Sequence, residues 1–319
     1  MFKTASFCRL GPEFALPPIT ALEEALQAQR FVPCGPTQPE SVGWVPPRGG
    51  ESQVYAEGIG GQILLTLCVE KRVLPAQAVR AAVEQKIERY RKETGLERVG
   101  ARQKRDFKDE AILDLLPRAF TKRGTTMVWI DEANRMLVVG TGAKAGADKV
   151  VTALVELLTS IPGVSPGSIV LKPVQTEMSA AASMSHWLAT REAPHNFTVD
   201  RDCELKTPDD QKSVVRYTRH TLDIDEVPLH IKAGKVPTQL ALTWMDRLSF
   251  VLTDTAQLKR LTLLDAALEN VDKTASKEER FDADAAIITG ELAGMIPDLL
   301  DAMGGEKDTA QPAPAKAAA

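Results

Sequence analysis

Residues 239–264 read QLALTWMDRLSFVLTDTAQLKRLTLL, and this stretch decides the fold class. Three short apolar runs, 239–244, 248–253 and 258–264, are joined by turns rich in Asp, Met, Arg, Thr and Gln. Connections this short leave no room for a crossover helix, so the runs read as an antiparallel meander. Upstream, 125–130 and 135–140 flank Asp131-Glu132-Ala133-Asn134 and fit a hairpin, and 2–10, 62–69 and 214–220 read as further strands. Helical spacing appears at 20–30, at 75–95 between Pro75 and Gly95, at 107–116 before Pro117, at 147–161, at 178–189 and from Ala283 onward, where Pro297 should kink or restart the helix. Meanders mixed with helices predict an α+β fold of mixed antiparallel sheets, not a doubly wound parallel one.

Three segments read as irregular. Residues 33–50 carry many turn formers around Gly43-Trp44-Val45-Pro46-Pro47 and predict ordered loop or extended chain. Residues 97–108 are polar and basic and predict a mobile arm, and 304–319 predict a disordered tail behind a unit spanning 1–303.

The 319 residues are 44% hydrophobic and 26% charged, a globular balance that indicates neither wholesale disorder nor a membrane protein. No apolar run reaches the roughly 18 residues of a bilayer span, and residues 1–10 lack the apolar core of an export signal, so no membrane partner is expected. Cys8, Cys34, Cys68 and Cys203 are widely spaced and form no C-x-x-C pair, which predicts reduced thiols in a cytoplasm and no zinc knuckle.

The net charge of −4 conceals an uneven distribution. Residues 71–123 hold 15 Lys/Arg against 8 Asp/Glu, whereas 265–306 hold 3 against 11. A chain so divided can carry a polyanion site despite its acidic total. The plainer reading of the basic segment is a solvated, salt-bridged helical surface.

Chemistry is sparse. His186, His195, His220 and His230 include no pair at metalloprotease spacing, no G-x-S-x-G elbow is present, and 140–146 lacks the order of a phosphate loop. Neither cofactor nor resident metal is expected. Asp282, Asp284 and Glu291 on one helix would suit a metal-dependent nuclease only by converging, and an acidic helix surface is the commoner meaning of such a run.

Basic residues are more suggestive. Arg118, Lys122 and Arg123 flank Phe120 after a helix-ending proline; Arg216 and Arg219 lie near a strand; Lys232 and Lys235 bracket Gly234; Lys259 and Arg260 begin another strand. Joined by folding, they would make a positive track for phosphates. Taken separately, Lys232 and Lys235 simply complement a helix dipole. With no recognition helix, zinc finger or RNP motif, a DNA ligand would be held by its backbone.

Several strings, in order along the chain, resemble the bacterial recombination-associated protein RdgC family. Among them are Phe31-Val32-Pro33-Cys34-Gly35, Gly43-Trp44-Val45-Pro46-Pro47, Leu115-Leu116-Pro117-Arg118-Ala119-Phe120, Ala233-Gly234-Lys235, Leu258-Lys259-Arg260-Leu261 and Arg280-Phe281-Asp282-Ala283-Asp284. The resemblance implies a curved subunit forming a ring-shaped homodimer around duplex DNA. It also implies binding without sequence preference, restraint of RecA-dependent recombination, and a cytoplasmic, nucleoid-associated location. It makes Phe120 a ring-interface residue and Lys235 a DNA or gate contact, with Arg216 and Arg219 at basic positions of the matching strand. A protein-interaction module that docks on a recombinase without binding DNA is the alternative, and the two readings differ in salt response.

Overall fold

The computed structural model describes residues 1–208, 213–269 and 276–307. Among them, one antiparallel sheet of 12 strands runs through the molecule in the order β2-β4-β5-β6-β1-β12-β11-β10-β8-β9. Its strands are β1 (Thr4–Leu10), β2 (Glu40–Val45), β3 (Glu57–Ile59), β4 (Gln62–Val73), β5 (Phe120–Asp131), β6 (Met136–Val139), β7 (Leu171–Pro173), β8 (Phe197–Lys206), β9 (Val214–Tyr217), β10 (Val236–Trp244), β11 (Leu248–Thr253) and β12 (Leu258–Leu263). β3 and β7 hang on β4 and β1. The expected meander is present as β10-β11-β12, with Trp244 opposite Leu248 at the first turn. The α+β class holds.

β1 joins the two halves. Its first residues pair with β12 (Thr4 with Lys259), and from Ser6 onward it pairs with β6. The helices α1 (Ile19–Ala28) and α4 (Lys144–Thr159) cover one face of the N-terminal half, where Leu22, Leu26, Leu154 and Leu158 pack on Leu65, Leu67, Val128 and Ile130. The other face meets α5 (Ala180–Thr190) and α8 (Lys277–Ala302). Their cluster unites Phe7, Trp129 and Val138 from the N-terminal half with Leu240, Phe250 and Leu258 from the C-terminal half, so the sheet wraps around these two helices. β4 contributes Leu64 to one cluster and Leu65 to the other. Burial on both faces explains why 62–69 is almost continuously apolar.

The structure differs from the sequence reading at five places. First, 40–45 forms a regular strand, β2, inside the segment read as loop; Gly43 permits it, because a Cβ there would stand 2.5 Å from the Phe31 Cα. Second, the expected mobile arm is the first half of α3 (Ala101–Leu115), whose Phe107 and Ala111 are buried. It pairs with α2 (Ala76–Thr94) as a helical hairpin, with Phe107 edge-on to Tyr90 at 5.6 Å. Two inward residues suffice for this helix, which is why its sequence looks too polar to fold. Third, α8 is one helix from Lys277 to Ala302 and does not restart at Pro297. Fourth, β8 and the short helix α7 (Asp265–Leu268) have no counterpart in the sequence reading, whereas the helix end expected at Lys232 is that of α6 (Glu226–Lys232). Fifth, within the expected tail, Thr176 bridges to Glu306 and Arg9 ion-pairs with Glu306, so 304–307 pack back on the sheet; 308–319 lie outside the described residues.

Candidate nucleic-acid interface

The basic positions fall into three places. Arg118 ends a 3-10 turn at the foot of α3, and Phe120, Lys122 and Arg123 open β5. This half of β5 extends as a ribbon with β4, and residues 120–125 are all exposed. Arg123 reaches back across the ribbon to Glu70 at 2.9 Å and lies over the Phe31 ring, 4.7 Å from its centroid. Lys122 stands opposite Lys71. Phe120 is 88% exposed, an uncommon cost for an aromatic of that size. Beside it, α2 and α3 leave a groove of about 640 Å³ lined by Val79, Val83, Ile87 and Ile112 with Arg80 and Lys104 at its rim.

Lys232 is the last residue of α6, and Lys235 precedes β10. The Lys235 ammonium donates to Thr207 Oγ1 at 3.2 Å and Ser213 Oγ at 2.6 Å, tying together the ends of the β8–β9 connection. That is a bracing role, whatever else the residue touches. Lys259 sits half-buried at the β1–β12 junction, its stem beside Gly142.

Arg216, Arg219 and Arg260 come together. They surround a trough on the sheet face turned away from α5 and α8, floored by Ala241, Ser249 and Val251. Arg201, which sequence reasoning missed, lines the same trough. Two irregularities in the sheet build it. Leu242 pairs with Val199 and Leu240 with Cys203, so Asp200, Arg201 and Asp202 stand opposite the single residue Ala241. Ser249 pairs with Thr262 and Val251 with Lys259, so Arg260 and Leu261 stand opposite Phe250 alone. Bulges bend a strand and re-aim its side chains, which is how residues of β8 and β12 reach one site across β10 and β11. Arg219 and Arg260 both have φ +53°, a left-handed backbone that arginine rarely adopts and that the surroundings must enforce.

The arginines are not bare. Arg260 Nη1 donates to Asp202 Oδ2 at 3.1 Å, and the Arg219 backbone N–H donates to Asp202 Oδ1 at 2.9 Å. Arg216 ion-pairs with Glu204, which also receives Lys206 at 2.7 Å and the Thr238 hydroxyl at 2.8 Å. Burial alone would raise the Glu204 carboxyl, but its hydrogen bonds from Lys206, Thr238 and Arg216 outweigh that and hold it at about 2. Burial raises Asp200, assisted by the neighbouring Asp202 and Asp246 charges and opposed by a hydrogen bond from Thr243. Because the folded Glu204 is depressed, its contribution to stability is complete above the ordinary carboxylate range, near pH ~4.3, and is lost as pH falls through about 2. Urea midpoints at pH 7 and pH 3 should therefore differ less in Glu204→Gln than in the unaltered chain; an equal difference would remove Glu204 from the acid response.

The carboxylates considered for a metal do not converge. Asp282 pairs with Arg48 at 2.6 Å, and Glu291 accepts two bonds from Arg247 Nε at 2.9 and 3.0 Å. Nine residues along α8 separate them by about 13 Å.

A family model described as "Putative exonuclease, RdgC" matches residues 1–306 of the chain. The chain belongs to the RdgC family. It is 39% identical over 309 residues to "Recombination-associated protein RdgC" of Dechloromonas aromatica (strain RCB), covering 96% of this chain and 98% of that one. The protein of the same name from Janthinobacterium sp. (strain Marseille) is 40% identical over 306 residues, covering 96% and 98%. That from Burkholderia cenocepacia is 39% identical over 319 residues and covers 99% of both. The strings read as an RdgC resemblance thus lie in a match that spans the fold. The family's two descriptions point in different directions, one to hydrolysis and one to recombination. No helix of the described residues is long and apolar enough to cross a membrane.

Proposed function

We propose that the chain is a non-enzymatic, sequence-independent binder of duplex DNA that closes around it as a ring-shaped homodimer. In this reading it works at the nucleoid in the cytoplasm and modulates recombination by contesting DNA with RecA. The observation that carries this reading is the trough, where four arginines meet on a solvent-facing sheet surface with a floor of small side chains. Guanidinium groups on an open surface suit phosphate oxygens, and no groove-reading element accompanies them among the described residues, so contact with the backbone sets affinity and leaves sequence unread. The relatives' shared designation as recombination-associated proteins agrees with DNA as the partner.

The helical hairpin supports the dimer. Phe120 and the groove beside it are both apolar, both open and carried on one substructure, as a two-fold contact requires: each copy offers the ring and receives its partner's. A closed ring needs a second two-fold contact, for which β9, the terminal strand of the sheet, presents an edge that is unpaired among the described residues.

The exonuclease wording attached to the family is tested directly. An end-labelled linear duplex incubated with the full chain in Mg²⁺ or Mn²⁺ is expected to be bound and recovered at full length. Metal-dependent shortening that Asp282→Ala or Glu291→Ala abolishes would replace the binding reading with a hydrolytic one.

A further inference from the structure

The carboxylate of Asp202 occupies the centre of the arginine trough. One oxygen takes the Arg219 backbone N–H and the other takes the Arg260 guanidinium. Both donors lie in left-handed backbone, and both Asp202 and Arg260 sit in bulged stretches of their strands. On a regular sheet, β8 and β12 are three strand spacings apart, about 14 Å, beyond the reach of one ion pair. Three separate distortions therefore converge on a single arrangement, an oxygen anion held between a backbone N–H and a guanidinium. That is the donor set of a phosphate seat.

We propose that Asp202 holds the place of a phosphodiester group: its carboxylate fills an anion seat in the free protein, and a phosphate of the DNA backbone displaces it on binding. The inference rests on the DNA-binding reading and adds a mechanism to it. Exchange explains how a site with Arg201, Arg216, Arg219 and Arg260 stays soluble and stable when empty, since Asp202 neutralises the Arg260 head that the ligand later takes and Glu204 neutralises Arg216 throughout. Asp202 is 26% exposed at its side chain, and its pair with Arg260 is open enough for such exchange. An exposed pair of this kind is worth little by itself, so an incoming phosphate faces a small barrier. Glu204 is different. It is buried at 5% exposure and held by three donors, so Arg216 stays anchored while Arg260 changes partner.

The test compares Asp202→Asn with Asp254→Asn in the full chain. Both remove one negative charge, but Asp254 lies in the β11–β12 turn outside the trough. Asparagine at 202 retains an oxygen for the Arg219 N–H, and Asp202→Ser, which retains one too, serves as a second variant. Binding to a random-sequence duplex across a salt series, with melting temperatures alongside, is the readout. Asp202→Asn should bind about fivefold tighter than the unaltered chain at ~0.1 M salt. The log–log salt slope should steepen by less than about 0.9, since the same phosphate is neutralised in both chains and only the displaced carboxylate is gone, while Asp254→Asn changes both much less. Equal effects of the two variants would reduce the result to net charge and overturn the inference. So would weaker binding by both position-202 variants at unchanged melting temperature, which would make Asp202 a positioning residue for the bound state. Failure of the unaltered chain to bind any duplex would overturn the DNA reading itself.

Discussion

Phe120→Ser is expected to raise the dimer dissociation constant by about 30-fold or more. An aromatic seated in a partner's groove is the type of residue that carries about 2 kcal/mol or more of an interface, and serine supplies neither the area nor the shape. Because Phe120 is 88% exposed in the single chain, its removal costs the fold itself almost nothing. Sedimentation across a concentration series measures the effect, with circular dichroism reporting an unchanged subunit. Val83→Asp, on the groove wall, should do the same from the receiving side. An unchanged dissociation constant in both would detach the hairpin from dimerisation.

Replacing Arg216, Arg219 and Arg260 together by Ala should weaken duplex binding by at least about tenfold at ~0.1 M salt. It should also flatten the salt slope by up to about 2.7, or about 0.9 for each phosphate no longer neutralised. The weakening should be the same for unrelated sequences, because backbone contacts carry no base information. Glu204 gives up one donor in this variant but retains Lys206 and Thr238, so the sheet should survive. Weakening confined to one sequence would contradict backbone recognition, and unchanged binding would move the interface elsewhere on the molecule.

The sequence disclosed what local patterns can disclose. The β10–β12 meander is legible because each run is short, apolar and bounded by turn residues. The β5–β6 hairpin follows from Asp131-Glu132-Ala133-Asn134, where the Asp131 side chain takes the Asn134 N–H at 3.0 Å. β8 is not legible, and the reason lies in the site. Phe197, Val199, Cys203 and Leu205 keep one two-residue phase, but Arg201 stands in that series between Asp200 and Asp202, so the bulged stretch that gathers the arginines also hides the strand that bears them. Arg201 is hidden with it.

Arg216, Arg219 and Arg260 stand out in the sequence as basic residues near strands, but their meeting depends on β12 and β8 flanking the same two strands, a long-range fact that no local pattern carries. Polar helices pose the same problem in another form. α3 shows few apolar residues because it packs chiefly on α2, and a helix that buries only Phe107 and Ala111 resembles a disordered basic arm. The family strings reach the identity of the chain through a different route, since they register the ancestry of many positions together and need no period at all.

Clamping of duplex DNA by this protein is measured by binding to circular and linear duplexes of unrelated sequence over a salt series, with the mass of the free protein in solution determined alongside. The expected result is a dimer that binds all of them alike, with a steep fall in affinity as salt rises. A protein that binds no duplex even at low salt would contradict it and leave docking on a recombinase as the reading to pursue.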